Sequence, residues 1–130
     1  MSDDSGYPGV EIIGASKLIE VYSYFTPFHD ASVDSILIER QGPTVTIRFT
    51  TCDAAYDGDE LKHPDQQAAV VMKWHEVQDL GLSGIDRRNW LGGLDFSMQG
   101  EHVRTELELM DGTQGFILAR RVEVVSVQPL

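Results

Sequence analysis

The chain has 130 residues, 42% hydrophobic and 24% charged, which supplies the apolar material for one compact core. Its 21 acidic and 10 basic residues give a formal net charge of -11. Such a chain repels phosphate backbones and anionic lipid headgroups, so we expect neither nucleic acid nor membrane as a direct partner. The single cysteine, Cys52, excludes an intramolecular disulfide. Because we also find no signal peptide pattern or long apolar run, we expect a cytoplasmic protein.

The N-terminal part of the chain predicts a flexible arm followed by a helix. Residues 1–9 hold too little apolar surface to become ordered, so residues 10–130 are expected to form the single domain. Ser16 is placed to cap a helix whose apolar residues recur on one face, namely Leu18, Val21, Tyr22 and Phe25. Pro27 ends this helix by about Phe25.

The rest of the chain carries strand patterns separated by turns. The predicted strands cover residues 33–40, 44–50, 70–82, 94–98, 103–109 and 116–127. The alternation of the third strand slips by one residue near His75 to Gln78, which predicts a bulge. Asp111-Gly112 is a hairpin turn signal. We therefore predict an α+β fold, in which a curved antiparallel sheet of about six strands in sequential hairpins is covered by one N-terminal helix.

Residues 53–67 have no apolar period and predict a long exposed loop. Within this segment the one basic residue, Lys62, accompanies five acids: Asp53, Asp57, Asp59, Glu60 and Asp65. Their spacing excludes an EF-hand. Three interpretations stay open, which are a solvated loop, an irregular ion site and a docking surface for a basic partner. Tyr56 and Tyr7 are natural aromatic anchors for such docking.

The histidines and tryptophans give no complete catalytic or metal-binding motif. His29 and Asp30 follow Phe28 at the predicted junction between helix and strand. They are either a structural pair that satisfies local backbone groups or a pair with chemistry. Trp74 shares a strand face with other apolar residues and is expected in the core, whereas Trp90 is either core or an exposed anchor. We assign no catalytic residue, no metal and no cofactor.

The junction sequence Phe28-His29-Asp30-Ala31, with the strands that follow it, resembles the immunity protein 50 family of bacterial polymorphic toxin systems. Residues 70–82 and 116–125 are similar to the middle block and the last strand of that family. The resemblance implies a small antitoxin that is made alongside a secreted toxin and binds the effector domain of that toxin without catalysis. The acidic segment 53–65 matches no family motif.

Three functions follow from these patterns. The first is a non-catalytic inhibitor of a basic, nuclease-like effector domain, with candidate contacts at Asp53, Tyr56, Asp57, Asp59, Glu60 and Trp90. The second is a metal-binding protein or enzyme that uses His29 and Asp30 together with His75 or His102. The third is a module that self-associates through an edge strand to form a homo-oligomer.

Overall fold

The computed structural model describes residues 7–83, 90–109 and 114–130 of the chain. Within these ranges there is one helix, α1 (Ser16–Tyr22), and there are six strands: β1 (Ser32–Glu39), β2 (Thr44–Asp57), β3 (Glu60–Gly81), β4 (Leu91–Gln99), β5 (His102–Leu109) and β6 (Gln114–Pro129). The strands form one antiparallel sheet in the order β1-β2-β3-β6-β5-β4. Helix α1 packs on β2 and β6. The predicted α+β fold is confirmed.

The sheet consists of two three-stranded meanders, β1-β2-β3 and β4-β5-β6, which join where β3 pairs with β6. The predicted turn at Asp111-Gly112 lies outside the described residues. At one corner the sheet curls far enough for its two edges to meet: Ser32 of β1 forms an isolated bridge with Trp90, and the Leu91 amide donates to the Ala31 carbonyl at 2.8 Å. The sheet therefore wraps around its core without closing into a barrel.

The central strand β3 bends between Trp74 and Val77. Trp74 and Val77 both contribute to the core although they are three residues apart, and residues three apart on a regular strand face opposite sides. Between them Glu76 adopts a φ of 52°, and the pairing with β6 shifts in register after Val77. The predicted bulge is thus confirmed. Arg121 of β6 ties the bend by an ion pair of 2.6 Å to the Glu76 carboxylate.

The helix is shorter than its apolar pattern predicts. Ser16, predicted as the N-cap, is the first helical residue, and Ala15 occupies the cap position without a side-chain hydrogen bond. The helix ends at Tyr22 because Ser23 takes a left-handed φ of 74° and its amide donates to the Ile19 carbonyl. No helix in the described ranges is long and apolar enough to cross a membrane.

The exposed loop predicted for residues 53–67 is wrong as a backbone assignment. Strand β2 continues to Asp57 and strand β3 begins at Glu60, so the segment is a β-hairpin with its turn at Gly58. The hydrogen bonds of a ladder join backbone groups and do not depend on the polarity of the side chains. Pairing that begins in the buried part of β2 and β3 can therefore continue through a polar segment. The side chains from Tyr56 to Asp65 are nevertheless exposed, as the composition indicates.

Candidate functional site

The most distinctive surface of the molecule is the outer part of the β2-β3 hairpin, residues 53–66, which we call the acidic hairpin. Its ladder runs from Asp53 opposite Gln66 to Asp57 opposite Glu60. The register shifts twice along it, and each shift leaves an extra residue on β3. Such bulges bend and twist a strand. Pro64 lies at the first of them, where its missing N–H costs no ladder bond.

The last residue of α1 and the chain that follows it hold the acidic hairpin against the body of the protein. The Ser23 hydroxyl donates to the Tyr56 carbonyl at 2.5 Å, and the Tyr22 hydroxyl donates to the Gln66 carbonyl at 2.8 Å. The Tyr24 ring contacts the Tyr56 ring edge to face, with centroids 6.3 Å apart. Strand β3 is therefore fastened to the body of the protein at Gln66, at the base of the hairpin, and strand β2 is fastened as far out as Tyr56, one rung below the outermost pair.

Asp53 belongs to this base rather than to the free surface. One carboxylate oxygen accepts a hydrogen bond of 2.8 Å from the buried Thr26 hydroxyl, and the other accepts one of 2.9 Å from the Ala54 amide. The pKa of Tyr24 is raised first by burial and then by a hydrogen bond to the Asp53 carboxylate. Asp53 therefore acts as a support for the acidic hairpin.

Replacing Asp53 by Ala is expected to lower the free energy of unfolding by about 1–3 kcal/mol, because the Thr26 hydroxyl and the Ala54 amide lose their acceptor. Urea denaturation of the purified variant measures this. The matched control is Asp59→Ala, which removes an exposed carboxylate of the same hairpin and should change stability by less than about 0.5 kcal/mol. Equal losses in the two variants would contradict the supporting role.

The tip of the acidic hairpin carries the other predicted contacts. Asp57, Asp59 and Glu60 are exposed, and none of the described basic side chains forms a salt bridge with them. Asp57 lies directly opposite Glu60, a like-charge pair that weakens a sheet. The tip is thus a concentrated negative surface on a braced arm.

The predicted junction motif ties the start of β1 to the edge strand β4. Phe28 and Asp30 adopt left-handed φ values of 63° and 65°, and the Phe28 ring is buried against Phe49 with centroids 5.1 Å apart. The Asp30 amide donates to the Leu91 carbonyl at 2.9 Å. His29 donates from Nδ1 to the Gly92 carbonyl at 3.0 Å. These contacts favour the structural interpretation of this motif.

The junction motif and the acidic hairpin lie at the same end of the sheet. Ser32 at the start of β1 pairs with Thr50, three residues before the hairpin begins, and the Thr26 hydroxyl, two residues before the motif, donates to the Asp53 carboxylate. Trp90 lies beside the same junction through its bridge to Ser32, and its side chain is 51% exposed. This exposure favours the interpretation of Trp90 as an exposed anchor for a partner over its interpretation as a core residue.

The pH dependence of stability tests the His29 contact. The pKa of His29 is raised first by the Gly92 carbonyl and then by the Asp30 carboxylate. Since the folded-state pKa exceeds the unfolded value, protonated His29 stabilises the protein fully below about pH 6.5, and this stabilisation is lost as pH rises through the raised pKa. His29→Ala should therefore lower the urea midpoint more at about pH 5 than at about pH 8.5. A difference that grows with pH would contradict this.

The residues of the metal or enzyme hypothesis are not brought together. His29 contacts Gly92 at the start of β4, whereas His102 pairs with Gln99 at the end of that strand. Residues 92 to 99 of an extended strand span about 24 Å. His75 instead contacts Glu123 at 2.8 Å on the β3-β6 pair. The described part of the chain holds no group of three His, Cys, Asp or Glu side chains arranged to bind a metal ion.

The fold and this site define a small α+β protein that presents a braced, acidic hairpin to its surroundings. A protein-family model described as Immunity protein 50 matches residues 14–130, which leaves out only the first 13 residues. The chain belongs to this family. Membership in an immunity-protein family implies a toxin protein as the binding partner. No curated protein and no solved structure shows significant similarity to the chain.

One exposed residue near the tip, Leu61, is absent from the contacts predicted from the sequence. Leu61 lies directly opposite Tyr56 in the ladder, and its side chain is 52% exposed. The signal for it is the position of the turn, because a two-residue turn at Gly58-Asp59 pairs Asp57 with Glu60 and therefore Tyr56 with Leu61. A loop has no paired rungs, so the predicted loop placed no residue opposite Tyr56.

Proposed function

We propose that this chain neutralises a secreted toxin by binding its effector domain and covering it, without catalysis, and that the tip of the acidic hairpin makes the main contact. The observation that carries the proposal is a hairpin braced at Asp53 and at Tyr56, with three exposed acids at its outer end. Family membership supports a toxin as the partner.

The charge of the protein favours a basic effector surface. The chain has a formal net charge of -11, and the acidic hairpin concentrates part of that charge beyond the core. A nuclease must attract phosphate groups, so its active-site cleft is basic. Unlike charges accelerate encounter and fix orientation, both of which favour rapid neutralisation. We therefore propose a basic, nuclease-like effector domain as the target.

The proposed contacts divide into a primary set and one secondary residue. The primary set consists of Asp57, Asp59, Glu60 and Tyr56 at the tip of the hairpin. Trp90, exposed at the adjacent corner of the sheet, is the secondary contact. Asp53 contributes indirectly, because its carboxylate holds the base from which the tip projects.

The experiment starts from the gene neighbouring the one that encodes this chain. The proposal predicts a large secreted protein with a C-terminal effector domain encoded there. Expression of that effector domain alone should arrest growth, co-expression of this chain should restore growth, and the two proteins should co-purify. Continued arrest despite ample expression of the folded chain would count against the proposal.

A further inference from the structure

The tip of the acidic hairpin combines one apolar rung with one acidic rung. Tyr56 pairs with Leu61, and the next rung outward pairs Asp57 with Glu60, with Asp59 in the turn. The side chains of Tyr56 and Leu61 are 37% and 52% exposed. The aromatic and aliphatic side chains of Tyr56 and Leu61 therefore stand side by side on one face of the hairpin, one rung below the carboxylates of Asp57 and Glu60, which point to the opposite face.

The stability of the fold does not explain the exposed leucine or the pair of opposed carboxylates. The Leu61 side chain lies outside the hydrophobic core, so it contributes little to folding stability. The outermost rung places two carboxylates opposite each other, which weakens the hairpin. A partner surface that buries the leucine and supplies positive charge to the carboxylates would reverse both costs.

The Tyr56 side chain is already oriented for such contact. Its ring rests on Tyr24, and its own carbonyl accepts a hydrogen bond from Ser23. A side chain that is held in place before binding loses less conformational entropy on binding. Large aromatic side chains that enter pockets, surrounded by polar residues that exclude water, carry most of the energy in protein interfaces.

Building on the proposed function, we propose that Tyr56 and Leu61 form the hot spot of the acidic hairpin. They enter an apolar pocket of the toxin effector domain whose rim carries lysine and arginine side chains. Charge complementarity selects this occupant over a second copy of the chain, because two copies each carry a net charge of -11 and would bring their acidic tips together. The apolar pair sets the lifetime of the complex, and the acids around it set the speed of encounter.

The test is the full-length Leu61→Ser variant, which removes the apolar side chain without changing the net charge. Binding kinetics with the purified effector domain should show dissociation about 30-fold faster and association nearly unchanged. The matched control is Leu37→Ser, because Leu37 is 55% exposed on β1 and lies away from the hairpin. This control should bind as the unmodified chain does. Urea denaturation should show similar stability for both variants.

The outcomes separate this inference from the function on which it rests. If the unmodified chain binds the effector domain and Leu61→Ser binds equally well, the hot spot is overturned and the proposed function stands. If the unmodified chain does not bind the effector domain, both are overturned. If sedimentation shows that the chain is a dimer and that Leu61→Ser makes it monomeric, the occupant is a second copy and the inference is overturned.

Discussion

Replacing Asp57, Asp59 and Glu60 together by Asn, Asn and Gln is expected to slow association with the effector domain by about tenfold at low salt. These three acids are exposed at the end of a braced arm, so their charge meets an approaching basic surface first. Because salt screens such attraction, the variant should also show a flatter dependence of association rate on ionic strength. Stopped-flow mixing at low and high salt measures both effects.

The matched control changes the net charge by the same amount at other places on the surface. Glu11, Glu20 and Glu39 are exposed, and none of them forms a salt bridge within the described residues. Replacement of all three by Gln should slow association much less than the hairpin variant does. If the two triple variants behave alike, the effect comes from net charge alone and the hairpin is not the contact surface.

Replacing Trp74 by Ala is expected to lower the free energy of unfolding by about 3–5 kcal/mol. The ring is fully buried in the core, so truncation leaves a cavity. It also leaves the buried Thr105 hydroxyl without the indole N–H, which donates to it at 2.8 Å. Chemical denaturation followed by far-UV circular dichroism measures the loss.

Trp90 supplies the control for this prediction, because it is the other tryptophan of the chain and is 51% exposed. Trp90→Ala should change the free energy of unfolding by less than about 1 kcal/mol. As a secondary contact, Trp90 should instead weaken binding to the effector domain when it is removed. A large loss of stability from Trp90→Ala would make it a structural residue and remove it from the proposed interface.

The body of the fold follows from local patterns in the sequence. Alternating apolar residues such as Val45, Ile47 and Phe49 are buried in β2, because a sheet with one face on a core must alternate. The slip in alternation near His75 to Gln78 predicts the bend, because a strand must bulge to keep its apolar side chains on the core face when the alternation shifts. These features depend on residues that are close to one another in the sequence, so the sequence is sufficient to predict them.

The acidic hairpin is harder to predict, because its residues lack the alternation that marks a strand and part of its support comes from residues distant in sequence. Residues 53–67 lack apolar alternation, and what pairs them is a ladder continued from the buried part of β2 and β3. The role of Asp53 depends on the Thr26 hydroxyl, which lies 27 residues earlier in the chain. The acids of the site are therefore evident from the sequence, whereas the distinction between Asp53, which supports the hairpin, and the acids that remain exposed requires the structure.

The junction motif is also evident from the sequence, whereas its structural role requires the structure. Its order of residues carried the resemblance to the immunity family, which the family match over residues 14–130 confirms. Its structural role depends on Leu91 and Gly92 of β4, more than 60 positions later in the chain. Only the curled sheet shows that His29 and Asp30 fasten one edge strand to the other.

Titration of a fixed amount of active effector domain with this chain tests most directly whether it acts by covering its target. Our account predicts that effector activity falls in proportion to the chain added, reaches zero near one equivalent, and does not depend on incubation time. Loss of activity at a small fraction of one equivalent, growing with time, would show that the chain transforms its target and would contradict the account. Undiminished activity at excess chain would contradict it equally.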